Sequence, residues 1–529
     1  MSQYNLKISM DIVIGVTGHR NLPNKEFIHG SINEVIKRLE NRFSKALDRT
    51  KYSFKVISPL AEGTDRIAAE EVLKLQKSSK YERTSLEVIL PLSEEEYIND
   101  FNGHESKEEF KNLLKKASSI KFLNGSKCRE DAYYNTGIYV VDNCDILIAV
   151  WNGKPAAGKG GTADIVKYAR DRKKWIFWIN SENGIISETG NDEKLFKYLN
   201  IYNKESINDH LLKGSLKELN TDFKDKASRY NLSNKYIDKL SGKLLPQFIK
   251  ADILAQKYQK RYRAVGTSIY ALSAGAVATI TIQILFFPNL PQLIWAEFIE
   301  IFIILFLLLI SSRQDWHRKW IDYRFLAERL RIALFFRIAN IKCEISTPPP
   351  HLRLTDSSED WIVRAFNSIW GKNELNIDKI PFEGFKKFLL DQWIDNQIIY
   401  YQKASKRNKE SNMIFTRLGT IFFILTLVAA SIHALNIEIF NNMQILIATA
   451  IILPTVAAAL TGIKNSHEYG RNAKRYNQMS QYISHIKERI EQAEDMETLV
   501  EILDKANQIM LGEHQDWRVV VQFHKLQPP

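Results

Sequence analysis

Four long apolar stretches without Lys or Arg constrain this chain more than any other feature of its sequence. Residues 265–287 carry no charged side chain, and the other stretches are 293–311, 418–435 and 443–463. About 20 apolar residues in a helix cross the hydrocarbon core of a bilayer. Four such runs are difficult to enclose in a soluble core. The sequence therefore predicts an all-α membrane region with four spans arranged as two hairpins.

The positions of the cations predict the orientation of these spans. No Lys or Arg occurs between residues 265 and 312 or between 418 and 463. The outer ends of the pairs instead carry Arg261, Arg263, Arg313, Arg318, Arg417 and Lys464. Because Lys and Arg are retained on the cytoplasmic side, both short hairpins should face away from the cytoplasm. We expect a multi-pass protein of the inner (cytoplasmic) membrane with both termini and residues 312–413 inside.

The rest of the chain is long enough for further domains, because 529 residues exceed a single core. The net charge of +12 is explained by basic residues beside a membrane, and no aromatic-interleaved basic motif indicates nucleic acid. Three cysteines form neither a disulfide framework nor a metal-binding pattern. The N-terminal ten residues lack the apolar region of a signal peptide.

Before the spans, short apolar runs alternate with helical patterns. The runs 11–16, 54–58, 86–90, 146–151 and 175–180 read as strands, with 121–123 as a short edge strand, and residues 32–47 and 131–143 read as helices. Strands that alternate with helices predict an α/β Rossmann-like, doubly wound sheet.

Three loops at the predicted carboxyl ends of strands carry the candidate ligand-binding residues. The loops contain Thr17, Gly18, His19 and Arg20, then Glu62, Gly63, Asp65 and Arg66, then Asn152, Gly153, Gly158, Lys159, Gly160, Gly161 and Thr162, with Asp164 just beyond. A glycine loop that runs from a strand into a helix presents backbone N–H groups to a phosphate. Gly160 stands where a triphosphate-hydrolysing P-loop needs Ser or Thr, so the loop indicates a nucleotide cradle without evidence for triphosphate hydrolysis.

Structural roles that involve no ligand would also explain the same residues. The glycines can serve only to permit positive φ. Arg20 can pair with Asp65 or Glu62 as a structural ion pair, and Asp164 can simply favour a helix N-terminus.

Four motifs in order carry a family resemblance: IGVTGHR at 14–20, SPLAEGTDR at 58–66, VVDNCDILIAVWNG at 140–153 and GKGGTAD at 158–164. Together they resemble the SLOG superfamily, a Rossmann-like group that includes the LOG phosphoribohydrolases, DprA and the nucleotide-sensing domain of melastatin-type TRP channels. The resemblance implies a nucleotide-derived ligand, such as a cyclic nucleotide or an ADP-ribose derivative, with its phosphate on residues 158–161. It also implies that Thr17–Arg20 and Glu62–Arg66 form facing walls.

The sequence departs from that of the LOG enzymes at one place that affects the expected hydrolytic activity. The LOG enzymes have paired glutamates after their Gly-Thr, whereas this chain has Ala163, Asp164 and Ile165. Ligand sensing is therefore expected in place of hydrolysis, and no catalytic residue, cofactor or metal site is assigned.

The membrane region contains an internal repeat. Residues 258–260 (YQK) recur at 401–403, and a charged aromatic helix follows each span pair, at 315–334 and 466–486. The pattern at 323–331 and the segment IMLGEHQDW at 509–517 resemble the SLATT family of two-span modules. That resemblance implies a membrane effector linked to nucleotide sensing in bacterial defence systems. The predicted domains are 1–190 (SLOG-like), 191–264 (stalk), 265–345 (first two-span module), 346–400 (cytoplasmic linker) and 401–529 (second module).

Two acidic residues in the second span are pore candidates. A ring of Glu297 and Glu300 in an oligomer would favour cations, although hairpin acids are often merely solvated. The hypothesis that follows is a homo-oligomeric nucleotide-sensing membrane effector that permeabilises the membrane during antiphage defence. Its partners are a nucleotide messenger and the lipid bilayer. The alternatives are a membrane-anchored nucleotide phosphoribohydrolase and a scaffold that binds a protein partner.

Overall fold

The computed structural model describes residues 6–75, 84–123, 128–155, 158, 160–190, 193–242, 244–338, 358–371, 380–435 and 443–522. The chain forms two compact units. One contains Asn5–Ser206 and Pro348–Gly371, and the other contains Met1–Tyr4, Ile207–Thr347 and Lys372–Pro529.

The first unit is a seven-stranded sheet with helices on both faces, which confirms the predicted α/β fold. Its strands are β1 (Met10–Gly18), β2 (Tyr52–Ser58), β3 (Ser85–Leu90), β4 (Ser119–Phe122), β5 (Ile146–Trp151), β6 (Trp175–Asn180) and β7 (Ile186–Thr189). The order is β4-β3-β2-β1-β5-β6-β7, and all neighbours are parallel except β6 and β7. The sequence patterns missed β7.

Helices connect these strands and cover the sheet. They are α1 (Lys25–Ala46), α2 (Thr64–Lys74), α3 (Glu94–Tyr97), α4 (Gly103–Lys115), α5 (Arg129–Asn143), α6 (Thr162–Asp171) and α7 (Glu193–Lys204). The pair α1 and α2 and the pair α5 and α6 each pack together, as expected when the chain winds in opposite directions from β1. Helix α4 was not predicted, whereas α7 lies in the segment 191–264 that was predicted to be a helical connector.

The core of this unit follows from the apolar patterns in the sequence. Five of the six residues of β5 are buried, because a central parallel strand is covered on both faces. Helix α1 buries one stripe of residues at helical spacing and is capped by the Asn24 side chain, which accepts a hydrogen bond from the Phe27 N–H at 3.1 Å.

A helix from a distant part of the sequence completes the first unit. Helix α13 (Ser358–Trp370) packs on α7 and β1, although residues 346–400 were expected to form a linker. Its Arg364 forms a bidentate ion pair with Asp145, whose side chain is 4% exposed and also accepts a hydrogen bond from the Val13 N–H at 2.8 Å. Trp361 packs against Tyr202 in the same interface. Polar and aromatic contacts thus hold α13 at the amino-terminal edge of the sheet.

We expect Arg364→Leu to loosen α13, because the substitution leaves the buried Asp145 carboxylate without its counter-ion. Loss of one partner of a partly buried pair costs about 1–3 kcal/mol. Hydrogen–deuterium exchange of the full chain in nanodiscs should show protection of the α13 amides falling about tenfold or more. The control, Arg38→Leu, breaks an exposed pair with Glu34 and should change protection little. Unchanged exchange in α13 would contradict this role for Arg364.

The second unit is entirely helical in its described residues. Its elements are α8 (Asp209–Arg229), α9 (Asn234–Ser241), α10 (Leu244–Phe286), α11 (Ile294–Arg313), α12 (Trp316–Ile338), α14 (Phe382–Leu389), a π-helical turn (Leu390–Ile394), α15 (Asp395–Ala434), α16 (Met443–Ser466), α17 (Tyr469–Gln492) and α18 (Met496–Gln522). Four of its helices are long and apolar enough to cross a membrane, which confirms the predicted spans.

Two of these spans are parts of much longer helices. Helix α10 has 43 residues and α15 has 40. At 1.5 Å per residue each is about 60 Å long, roughly twice the hydrocarbon thickness. The last part of the predicted stalk, residues 244–264, is therefore continuous with the first span.

The two halves of the membrane region share one design, as the sequence repeat predicted. In both, a long helix and a second span are followed by a turn and a third helix. The turns are formed by Asp315 and Glu468, which have φ values of 51° and 52°, an uncommon conformation for non-glycine residues. The Tyr258 ring packs against Tyr323, and the equivalent Tyr401 ring packs against Tyr476, with ring centroids 5.8 Å apart in both pairs.

Candidate functional site

The candidate ligand site lies where the order of the parallel strands reverses. The chain runs from β1 through β2 and β3 to β4 on one side, and β5 then pairs with β1 on the other. In open α/β sheets the loops that follow the two strands at such a reversal diverge, and the crevice expected between them lies at the carboxyl edge of the sheet. Thr17 and Gly18 close β1 beside Ala149 and Val150 of β5.

The loops after β1 and β2 contact each other directly. The backbone N–H and the hydroxyl of Thr64 both donate to the His19 carbonyl, at 3.3 and 3.1 Å. Gly63 has a φ of 78°, and a Cβ at this position would overlap the Arg20 carbonyl oxygen. Only glycine satisfies both conditions. The two segments expected as facing walls thus form one continuous wall.

His19 joins this wall to the loop after β5. The Nε2 atom of His19 accepts a hydrogen bond from the Asn152 backbone N–H at 3.3 Å. The backbone N–H of His19 donates to the Val150 carbonyl at 3.1 Å. The Asn152 side chain accepts from the Lys154 N–H at 3.1 Å, and Gly153 turns the chain with a φ of 84°. These contacts position the start of the glycine loop at the crevice.

The glycine loop leads into the N-terminus of α6. The Gly161 N–H donates to the Gly158 carbonyl at 3.2 Å. The Gly160 N–H donates to the Asp164 carboxylate at 3.1 Å, so Asp164 shapes the loop. Gly158 is exposed, and residues 160–164 are half-buried. Lys159 lies outside the described residues.

The first turn of α6 offers backbone donors to a ligand. Gly161 precedes the helix, and no side chain caps it. Thr162 is the first helical residue, followed by Ala163. Uncapped N–H groups and the positive end of the helix dipole favour an anion at this position.

Glu62 and Arg66 are occupied by contacts within the protein. Glu62 accepts hydrogen bonds from the Asn102 N–H at 3.0 Å and from the Ser106 hydroxyl. The Arg66 side chain is 2% exposed and donates to Glu109 at 2.8 Å, while its guanidinium lies 4.5 Å from the Phe101 ring centroid. Both residues therefore fasten the β2 loop to α4.

Arg20 remains exposed at the crevice. Its guanidinium lies 5.1 Å from the ring centroid of Tyr133 in α5. The Tyr133 hydroxyl donates to Asp100, which also accepts a hydrogen bond from Arg129. Sequence reasoning missed Tyr133 and Asp100. The signal available was the position of α5, whose N-terminus follows the carboxyl end of β4 and therefore reaches the same edge.

Asp65 has an unusual electrostatic environment. Its side chain is 5% exposed, and one carboxylate oxygen, Oδ1, has no hydrogen-bond partner among the described residues. Burial raises the pKa of Asp65 to about 7, and the opposing effects of the Ala61 N–H, Arg20 and Arg66 do not cancel it. A carboxyl group with this pKa next to a crevice is typical of a functional position.

The raised pKa of Asp65 predicts how Asp65→Asn changes stability with pH. The folded state holds the proton up to about pH 7, whereas the unfolded state releases it near 3.8. The contribution of Asp65 to stability is therefore greatest below about 4 and is lost as the pH rises to about 7. The melting temperature of Asp65→Asn relative to wild type should rise by roughly 5 °C or more between these limits.

Thermal melting of the full chain in nanodiscs, followed by fluorescence across this pH range, measures the effect. Asp171→Asn removes an exposed carboxylate of the same unit and serves as the control. If the difference in melting temperature between Asp65→Asn and wild type does not change with pH, the raised pKa of Asp65 is contradicted.

In the second unit, Glu297 and Glu300 both lie on α11 and are half-buried. The Glu300 carboxylate accepts a hydrogen bond from the Thr279 hydroxyl of α10 at 3.2 Å, and a Cβ added at Gly275 would lie 3.1 Å from Oε1 of Glu300. Glu300 thus links the first two spans of the same chain. Gly275 takes part in this close approach.

Comparison with known families bears on the membrane region. A comparison with curated proteins gives no match. Residues 390–517 match the family SLATT_1, described as the SMODS and SLOG-associating 2TM effector domain 1. The matched range starts in the π-helical turn and ends in α18, so it includes all of α15, α16 and α17. The second repeat of this chain is therefore similar to a two-span membrane effector domain.

Proposed function

We propose that this protein is a nucleotide-sensing membrane effector. In this proposal the first unit binds a nucleotide-derived ligand, and the bound state opens or assembles a pore formed by the spans. The observation that carries the proposal is the composition of the loops at the strand-order reversal, where the topology predicts a crevice. An uncapped helix N-terminus, an exposed arginine and a buried carboxyl group with an unused oxygen all belong to its loops.

Each part of the crevice suits one part of such a ligand. The N–H groups at the start of α6 bind the phosphate, and Arg20 supplies a cation for it. Oδ1 of Asp65 accepts a hydrogen bond from a ribose hydroxyl. We assign this role to Asp65 because the Asp164 carboxylate is already bonded to the Gly160 N–H. Glu62 and Arg66 act indirectly by holding the β2 loop in place.

The membrane part of the proposal rests on the four spans and on the similarity of residues 390–517 to an effector domain. The cations that flank the spans favour an orientation with the first unit and the stalks in the cytoplasm. Large apolar side chains on α11 and α15 are exposed, including Phe298, Phe302 and Phe423. A bilayer or neighbouring copies of the chain would cover them.

Gating requires that the ligand bind one arrangement of the protein better than another. Pore formation by a chain with four spans also requires several copies, so the proposal includes a homo-oligomer. The resemblance to the SLATT family implies a bacterial defence context, which suggests a signal made during infection. Glu297 of α11 remains a pore candidate, whereas Glu300 would need to exchange its bond to Thr279.

Ligand binding is tested with the full chain in nanodiscs against mononucleotides, cyclic oligonucleotides and ADP-ribose isomers. At least one compound should raise the melting temperature by mass action. Arg20→Gln should reduce the affinity for that compound about tenfold or more, because a charge-assisted hydrogen bond is lost. Arg38→Gln removes an exposed arginine of α1 and should bind normally. No shift with any compound, or equal weakening in both variants, would count against nucleotide sensing.

Effector activity is tested with the same proteins in dye-loaded liposomes. The compound that binds should release dye from liposomes containing wild type and Arg38→Gln, and Arg20→Gln should need about tenfold more of it. Ligand binding without any release would refute pore gating while leaving nucleotide sensing intact.

The raised pKa of Asp65 favours one second candidate, a nucleotide phosphoribohydrolase with Asp65 as general acid. Chromatography of nucleoside monophosphates incubated with the full chain would show free base released by wild type. Asp65→Asn would abolish release under this alternative. If a ligand stabilises the protein but no free base is released, the phosphoribohydrolase is excluded and the nucleotide sensor is supported.

A further inference from the structure

A second candidate site lies in the helical unit, between the two repeats. It is a cavity of about 430 Å³, a size typical of small-molecule sites. Helices α10 and α12 of the first repeat line one side, and α15, α17 and the turn before α17 line the other. Arg263 and Ser466 place it at the ends of the spans, on the side proposed to be cytoplasmic.

The lining of this cavity is strongly basic and rich in aromatic rings. Two acidic residues, Asp252 and Glu468, face six basic ones. The basic residues are Lys260, Arg263, Arg324, Arg331, Arg407 and Arg475. The rings include Tyr262, which stacks on His317 at 4.5 Å between centroids, and Trp320, whose centroid lies 6.0 Å from the Arg263 guanidinium.

Part of this positive charge is neutralised inside the protein. Arg324 pairs with Asp252 at 3.1 Å and with Glu328 at 2.5 Å, and Arg331 pairs with the other oxygen of Glu328 at 2.8 Å. Glu468 pairs with Arg471, which does not line the cavity. The acidic groups near the cavity are therefore already occupied by these ion pairs.

Two cations of the cavity, Lys260 and Arg407, take no part in these ion pairs. Lys260 is on α10 and Arg407 is on α15, so one comes from each repeat. Both are exposed, and neither makes a hydrogen bond or an ion pair with any part of the chain that the structure describes. The cavity thus has surplus positive charge on opposite sides, next to the low-dielectric membrane.

We propose that this cavity binds a phosphate group. An ammonium and a guanidinium on opposite sides can each form charge-assisted hydrogen bonds to one phosphate, and Arg does so through two donors. The phosphate can belong to the headgroup of an anionic lipid or to a soluble compound. Because Lys260 and Arg407 come from different repeats, the bound phosphate would hold the two repeats together.

The test uses the full chain in nanodiscs and compares two double variants. Lys260→Gln with Arg407→Gln removes the two cavity cations. Lys403→Gln with Lys406→Gln is the matched control, since both lysines are exposed on α15 and do not line the cavity. Melting temperature is measured in phosphatidylcholine discs during titration with pyrophosphate. It is also measured in discs containing phosphatidylglycerol, with native mass spectrometry to count retained lipids.

We expect stabilisation of wild type and of the control variant, with affinity reduced about tenfold or more in the cavity variant. Stabilisation by pyrophosphate in phosphatidylcholine discs identifies a soluble phosphate, and stabilisation only by phosphatidylglycerol identifies the lipid. The charge-conserving variant Lys260→Arg with Arg407→Lys should retain binding, which separates loss of charge from misfolding. No stabilisation in either arm, or equal loss in the cavity and control variants, overturns the proposal.

Discussion

The absence of hydrogen-bonding partners in lipid is the constraint on which the membrane half of this protein depends. Every backbone N–H and C=O inside the hydrocarbon must be satisfied within its own helix. Helices α10 and α15 meet this requirement and continue beyond the membrane without a break, so each stalk is an extension of a span. A displacement of a stalk is therefore also a displacement of a helix in the bilayer. In the proposed function, this continuity would give a ligand-binding event outside the membrane a physical route to the spans.

The same unit is built twice, and the space between the copies has properties that neither copy has alone. Each repeat ends its second span in a turn with an acidic residue at positive φ, and each fixes its third helix with a tyrosine pair. The cavity between the repeats takes Lys260 from one and Arg407 from the other. A duplicated module thus becomes asymmetric at the contact, because the lining residues from the two halves are different.

In the first unit, the proposed ligand site depends on contacts that fix the backbone of its loops. Thr64 bonds to the His19 carbonyl, Gly63 fits beneath the Arg20 carbonyl, and Asp164 holds the Gly160 N–H. These contacts leave Arg20, Asp65 and the start of α6 for a ligand. On the opposite edge of the sheet, the Asp145–Arg364 pair holds α13, a helix from between the two membrane repeats. That pair fixes on the sheet a segment that lies between α12 and α14 in the sequence.

The sequence by itself determined the features that depend on local composition. Uninterrupted apolar runs defined the spans, alternating apolar runs and helical patterns defined the central strands, and the glycine spacing located the loop before α6. Local pattern could not reveal where α13 packs, because its partners Asp145 and Tyr202 lie more than a hundred residues away in the chain. The short strand β7 and helix α4 were missed for the same reason, because packing against other parts of the chain stabilises them. Only the tertiary structure decided that Arg66 is buried against Phe101 while Arg20 is exposed, and that burial raises the pKa of Asp65. Burial and charge pairing depend on which distant residues meet, and this is set by the folded chain as a whole.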